Sequence, residues 1–581
     1  MLVTILSWIY IFIVCVVTGL VVNRLLSKVV PVPSYDDGEG HFGITGLCVT
    51  GLVTLTVYAE VFSIFYKVGA ACHVVMLILV AVGGFFYRTE FTKLFGTIKK
   101  KCTGASFNSV ALFVIIVLAA AFFSSNGKFH TDTGIYHAQA IRMLEEYGVI
   151  KGLGNLQLHF AYNSSYLALC ALFTLSFILP FPLHSMTGFF MVLFTCYAAF
   201  GLAGWSQHKR HGGDFARIAI LLYALTNMTG LQSPATDYGT MFMTLYVMCA
   251  WITYAEERVD VAAKHDVKTD FNAVAYFGYL AVLSIFTVSM KLSAALLVIL
   301  AILPAVLLIK QKMFKELGFF LLIGFLSFLP YMVRNVILSG WLFYPVASID
   351  LFNVIWKIPA EYMKVDADQI KVWGRCLYDI TKIDDGVTSW LPVWWGEKQH
   401  YEVMLIYSQF VGAILTCVLL LFRLREKKLN FAVVLFYVTI FANLVMWFFT
   451  APFIRYGLAF LLLLPLCALG DMLEIIVSRK SVVLGFVASL IVINFASWVD
   501  DYFMDDMVFA KHELRSGHFL VPVDFDRGNM SETDMDGLTV YVANYDEINS
   551  YYYNPGSCYD FMVERTELIG DGIKEGFKPK R

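Results

Sequence analysis

Apolar residues occur in runs of roughly 17 to 22, each near the length of helix needed to cross about 30 Å of hydrocarbon. The runs lie at residues 2 to 22, 43 to 63, 69 to 87, 108 to 125, 184 to 205, 216 to 233 and 238 to 255. They continue at 272 to 289, 292 to 309, 317 to 333, 403 to 422, 430 to 450, 456 to 476 and 481 to 498, which makes about fourteen predicted transmembrane helices. Lys and Arg concentrate in alternate connections, among them Arg24 and Lys28, Arg88 to Lys101, Lys209 and Arg210, Lys310 to Lys315, and Arg423 to Lys428. Such loops prefer the cytoplasm, which puts the N-terminus, the long segments 126 to 162 and 334 to 402, and the tail after about residue 499 outside. Residues 163 to 181 are apolar enough to span, but counting them would move the HKRH cluster at 208 to 211 outside. That stretch, closed by Pro180 and Pro182, is therefore predicted to skim or re-enter the membrane.

Composition supports the same class. The 581 residues are 59% hydrophobic and 15% charged, against about a quarter charged in an ordinary soluble chain. A net charge of −2 excludes a nucleic-acid partner that depends on counterion release. Most of the eleven cysteines lie inside apolar runs, and no CxxC or Cys/His cluster suggests zinc. The first apolar run lacks a charged leader and a small-residue cleavage site, so it is read as a retained span. The expected fold is an all-α polytopic membrane protein with juxtamembrane helices in the first large outer loop and a small α+β C-terminal appendage. Its expected divisions are 1–125, 126–183, 184–333, 334–402, 403–498 and 499–581; the strand-like LTVYVA at 538 to 543 falls in the last.

The first outer loop is unusually polar and aromatic. Residues 133 to 147 fit a short amphipathic helix, with Ile135, Ala138, Ile141 and Leu144 at helical spacing and Gly148 as a stop. Asp132 at its start has two readings, a helix cap or a catalytic base, and the pattern alone favours the cap. Tyr136, His137, Gln139 and Arg142 suit sugar and phosphate contacts or a solvated face. Asp237, Lys291, Arg334 with Asn335, and Arg455 each sit at the outer end of a predicted span, where a lone charge is an interfacial anchor unless it has a use. Together these cations suit a lipid phosphate, Arg as a fork and Lys as a point charge. Glu60 lies within a span with no assigned partner. No Walker-type loop, GxGxxG, HExxH or GxSxG occurs, and Asp524/Asp526 and Asp534/Asp536 read as solvated tail acids.

DTGIYHAQAIRMLEEYGVIKGLGNL, NSS, SPATD, KLS, RNVILSGWLFYP, APFIRYG and LIGDGIKEGF carry a resemblance to the GT-C superfamily of multi-span glycosyltransferases, closest to a bacterial branch. The islands run from about residue 130 to the C-terminus. The resemblance implies sugar transfer from a polyprenyl-phosphate donor to a glycan, lipid or protein acceptor on the extracytoplasmic face of a bacterial inner membrane. Asp132 would be the base and Asp237 a second acid. Asn163, Lys291, Arg334, Asn335, Trp341, Tyr344 and Arg455 would hold substrate beside Tyr136, His137, Gln139 and Arg142. Many relatives carry an acidic pair in this loop, whereas Asp132 is followed by Thr133 and the nearest acids are Glu145 and Glu146. No cofactor is assigned, and need for a divalent cation stays open, with His130, His137 and His159 near Asp132 in sequence. The alternatives are a lipid-linked oligosaccharide polymerase or ligase using Arg375, Trp394, Trp395 and His400, and a transporter or flippase.

Overall fold

The structure is a computed structural model that describes residues 1–35, 42–203, 205, 208, 210–262, 271–476, 489, 518–525, 529–543 and 551–580. Five helices come first: α1 (Leu2–Leu26), α2 (Gly43–Phe65), α3 (Ala70–Phe86), α4 (Arg88–Thr103) and α5 (Phe107–Phe123). The first long loop holds a π turn, Thr133–His137, then α6 (Ala138–Glu146), α7 (Leu153–Leu156), a 3-10 turn and α8 (Ser165–Leu172). Next come α9 (Met186–Ala203), α10 (Gly212–Thr226), α11 (Thr236–Ala262) and α12 (Phe271–Met290). A ten-residue 3-10 segment, Leu292–Ala301, runs into α13 (Ile302–Lys310), followed by α14 (Phe314–Ser339). The second long loop contains α15 (Ala360–Gly374) and α16 (Val387–Gly396), and α17 (His400–Arg425), α18 (Phe431–Thr450) and α19 (Ile454–Ile476) complete the bundle.

Among the described residues nine helices are long and apolar enough to cross a membrane: α1, α2, α9, α12, the unit Leu292–Lys310, α14, α17, α18 and α19 through Met472. Large apolar side chains such as Ile78, Ile115, Leu321 and Leu421 stand exposed on their neighbours and on these helices, where only lipid can cover them. The chain is an integral membrane protein. The count of fourteen is not reproduced. Helix α3 bends by 88° into the basic helix α4, and the two make one broken unit that would be a tenth. Helix α5 has 17 residues, and α10 covers only 15 where 216 to 233 was expected. Helix α11 is long enough but less apolar than α10 and α12, because other helices surround it and lipid does not; Met241 to Ala255 are buried almost throughout. The stretch 481 to 498 lies outside the described residues. Helix α8, in the segment expected to skim or re-enter, has eight residues, a length of about 12 Å that cannot cross.

Two features set the packing. Helices α1 and α2 cross with backbones in contact, since a Cβ on Gly19 would meet the Leu47 carbonyl oxygen at 1.8 Å and one on Gly51 the Cys15 oxygen at 1.8 Å. Helix α11 carries a polar group at each end: Asp237 in its first turn and Glu256 about 28 Å further on, near the hydrocarbon thickness. At the Glu256 end the carboxylate accepts the backbone N–H groups of Gly212 (3.1 Å) and Gly213 (2.9 Å) at the start of α10. Beside it Asp214 binds His208, His211 and Arg217, while Asp471 accepts from Arg423 and Tyr437. This buried network ties α10, α11, α17, α18 and α19 together at the end of α11 opposite Asp237.

The tail forms the small strand-containing unit expected. LTVYVA becomes β2 (Leu538–Ala543), which pairs antiparallel with β1 (Met530–Met535) through an Asp536-Gly537 turn with positive φ at both residues. A short β3 (Gly556–Ser557) adds in parallel, and β4 (Thr566–Leu568) pairs with β5 (Phe577–Pro579). All eleven cysteines are free.

Candidate functional site

Asp132 leads directly into the π turn with helical backbone angles (φ −60°, ψ −20°) and makes no side-chain capping bond. A capping residue instead takes extended angles and accepts N–H bonds, so the cap reading of Asp132 is overturned. Its carboxylate is free to face Arg455, whose Nη2 lies 3.1 Å from Oδ2. Arg455 Nη1 also donates to His130 Nε2 at 2.7 Å, and its Nε lies 3.9 Å from Asp237 Oδ2. Lys291 forms an ion pair with the other oxygen of Asp237 and lies 3.8 Å from the centre of the Tyr456 ring, over which Arg455 also stacks at 5.1 Å. Four segments far apart in the chain thus bring two carboxylates, two cations and one aromatic face to a single point.

Helix ends explain the placement. Asp237 sits in the first turn of α11, where the macrodipole favours an anion, and Lys291 follows the last residue of α12, where it favours a cation. Arg455 is the second residue of α19, an end that disfavours positive charge, so its position depends on the two acids. The cluster opens by degrees, from Asp237 with 9% of its side chain exposed to Arg455 with 37%. His130 is pulled below the usual histidine range chiefly by burial, with Asp132 opposing, and remains a neutral acceptor for Arg455. Lys291 and Arg455 have more donors than their protein partners use, so an anion entering from the open side meets both.

The other expected site residues divide. Tyr136 borders the cluster, its hydroxyl pushed well up by burial and by Asp132, and it stacks on His159 with ring centres 5.2 Å apart. His137 and Gln139 are buried, and burial holds His137 neutral. Arg142 points away, toward Glu146 and the Tyr551 hydroxyl. Arg334 is a correction: it lies inside the protein and pairs with Glu60 at 3.0 Å, which supplies the partner Glu60 lacked. A separate small cavity of about 30 Å³, lined by Arg334, Asn163, His159 and Tyr162, has room for about two waters. Asn163 donates to the Tyr331 carbonyl and Asn335 to the Leu342 carbonyl. Trp341 and Tyr344, expected to line a sugar site, are 2% exposed, because they pack in a small core with Leu158 and Ala161 of the first loop, Ile358 and Met363 of the second, and Met562 of the tail. Trp341 donates to the Ile358 carbonyl, and Tyr344 shares the buried Asp366 carboxylate with Tyr162.

His130, Tyr456 and Asp366 are the residues whose positions the sequence understated. His130 precedes a motif that stood out and Tyr456 lies within one, whereas Asp366 had no signal beyond its polarity. Arg375 donates to the Ile383 carbonyl within the second loop, Trp394 donates to the Pro452 carbonyl between α18 and α19, and His400 is exposed. Among the described residues no group of three or more His, Cys, Asp or Glu is arranged to hold a metal ion.

The tail holds the charged loop in place. Glu145, buried in α6, accepts hydroxyls from Thr174, Ser176 and Tyr551; burial raises its carboxyl and these donors partly offset that. Asn554 donates to Glu146, the Cys558 N–H to Gln157, and the Ser557 hydroxyl to the Leu156 carbonyl. Glu145 and Glu146 are thus docking residues, not a second acid beside Asp132. Gly148, at φ +82°, ends α6 where a Cβ would meet the Ser63 carbonyl oxygen at 2.7 Å. Tyr551→Phe is expected to cost about 1–3 kcal/mol, because it strips a buried carboxylate of a donor. The exposed control Tyr559→Phe should stay within about 0.5 kcal/mol. Equal melting temperatures for the two purified variants would show that the Tyr551–Glu145 bond does not hold the loop.

The fold and this cluster define a many-helix membrane protein with a charged centre at one end of the bundle. Residues 1–462 match the family model described as a domain of unknown function, DUF8201, and the chain belongs to that family; all four charges of the cluster lie in the matched region. No curated protein and no solved structure matches the chain.

Proposed function

We propose that the protein is a GT-C type, inverting glycosyltransferase that moves a sugar from a polyprenyl-phosphate donor to an acceptor hydroxyl on the extracytoplasmic face of a bacterial inner membrane. The observation that carries this reading is the meeting of Asp132, Asp237, Lys291 and Arg455 at the mouth of the bundle. In this reading fourteen crossings place the Lys- and Arg-rich connections in the cytoplasm and the cluster outside.

Asp132 removes the proton of the acceptor hydroxyl as its oxygen attacks the anomeric carbon. The bond from that carbon to the phosphate oxygen breaks, and the phosphate leaves with the electron pair. Lys291 and Arg455 balance its charge where little water reaches. Asp237 holds both cations in place without touching the leaving group, and Tyr136 and Tyr456 border the space a sugar would fill. Arg334 has no part in this set, since Glu60 already takes its charge. The absence of a nucleotide-binding motif fits a donor delivered by the membrane.

Asp132→Asn keeps the shape of the site but removes the base, so turnover of a polyprenyl-phosphate sugar should fall by about 10²–10⁴ with the melting temperature retained. Turnover near that of the unmodified protein would reject Asp132 as the base.

A further inference from the structure

Helix α1 measures the distance between the two ends of the bundle. Near its start Thr4 bonds the hydroxyl of Ser125, just after α5, and Arg24 pairs with Glu90 of α4 at 2.6 Å. About 30 Å of helix separates these two contacts, close to the hydrocarbon thickness of a bilayer. Helix α3 begins beside α6, where the Val68 N–H donates to the Leu144 carbonyl, and keeps exposed apolar side chains as far as Phe85 and Phe86. The chain then bends by 88° into α4. After Thr103 it turns again, and α5 opens on the exposed Phe107 and leads back toward the loop that carries Asp132. Both neighbours of α4 are covered by lipid, so α4 lies along the bilayer surface at the end of the bundle away from the charged cluster.

The sequence of α4, RTEFTKLFGTIKKKCT, suits that position. Phe91, Leu94, Phe95 and Ile98 recur at helical spacing and form one apolar face. Leu94, 2% exposed, packs into the bundle core with Phe91 and Ile98 against it, whereas Phe95 is 69% exposed. The rest of the helix carries Arg88, Lys93, Lys99, Lys100 and Lys101 against a single acid, Glu90. That acid is already engaged by Arg24 and lies 3.6 Å from Lys93. Lys99, Lys100 and Lys101 are exposed and have no acidic partner among the described residues. The Arg88 guanidinium stands 5.2 Å from the Phe85 ring centre, its stem along the apolar surface and its charge at the edge.

We propose that α4 is a docking surface for anionic phospholipid headgroups, which Lys99, Lys100 and Lys101 gather from the surrounding bilayer while Phe95 sits among the acyl chains. A basic amphipathic helix by itself also suits a groove on an acidic protein. Here the lipid-covered helices on either side hold it against the membrane, which favours the lipid. The attraction grows with each Lys or Arg at the surface and is screened by salt. The inference is independent of the glycosyl-transfer reading, since it concerns the opposite end of the bundle and none of the cluster residues.

The test uses the full chain in phosphatidylcholine nanodiscs with a bimane fluorophore on Cys102, an exposed thiol of α4; Cys417→Ser removes the other exposed thiol. Brominated phosphatidylcholine or brominated phosphatidylglycerol is added at the same small mole fraction. Both should quench the label, the anionic lipid about threefold or more strongly. Lys99→Gln/Lys100→Gln/Lys101→Gln should bring that ratio to about one while quenching by phosphatidylcholine persists, and about 1 M salt should do the same to the chain with its lysines intact. Lys364→Gln/Lys382→Gln, which removes two exposed charges from the second long loop, should leave the ratio unchanged. Lys100→Glu alone should lower it by about half and serves if the triple variant fails to fold. Equal quenching by the two lipids, an undiminished ratio in the α4 variants, or an equal loss in the second-loop control would overturn the proposal. Absence of quenching by either lipid would also overturn it and point to a protein partner.

Discussion

Glu60→Ala is expected to destabilise the protein by about 3–5 kcal/mol, the cost of leaving a buried charge without its partner. The Glu60 side chain is fully buried and that of Arg334 is 3% exposed, and the pair joins α2 to α14 at 3.0 Å. Water in the small cavity beside Arg334 could solvate the guanidinium but not neutralise it as the carboxylate does. The double variant Glu60→Leu/Arg334→Leu should recover most of the loss, because an apolar pair of similar size carries no desolvation cost. Unfolding free energies from denaturing-detergent titration in mixed micelles check both. A single variant within about 1 kcal/mol of the unmodified protein would contradict the burial of the pair. The double variant should also bind a polyprenyl phosphate normally, since Arg334 stands outside the cation set; loss of binding there would return Arg334 to the site.

Arg455→Ala should affect donor binding and turnover together. This one side chain bonds His130, faces Asp132 and Asp237, and stacks on Tyr456, so its loss removes a phosphate donor and leaves two carboxylates facing each other. Losing one such donor costs about 10²–10³ in rate elsewhere, and a similar fall in turnover is expected. Donor affinity should weaken more than acceptor affinity. Arg455→Lys should restore little, because a single ammonium cannot reach Asp132 and Asp237 as the guanidinium does. Unchanged donor affinity in Arg455→Ala would remove it from the site and take the charge-balance argument with it.

The legible part of the site was its membership, not its geometry. Asp237, Lys291 and Arg455 stood out because an ionised group at the end of an apolar run is costly without a use, and Asp132 because it opens the amphipathic stretch and matches the acid that the resemblance implies. Arg334 met the same criterion and belongs elsewhere, since its partner Glu60 is 274 positions away and a one-dimensional pattern carries no trace of that pairing. Trp341 and Tyr344 looked like sugar platforms and proved to be loop core, because an aromatic in a polar loop reads alike whether it faces solvent or folds inward.

The apolar runs, the amphipathic stretch that becomes α6 and the alternation that becomes β2 were determined by sequence alone. Each is a periodic match between side chains and their immediate solvent, and neighbours within a few residues set it. Tertiary structure alone decided that α3 turns sharply into α4, that the chain after Lys291 winds as a 3-10 coil, and that α11 is wrapped by protein. It also decided which acid each cation meets. Those outcomes depend on distances of about 3 Å between groups far apart in the chain, where Coulomb energy and desolvation act through space and leave no local periodicity.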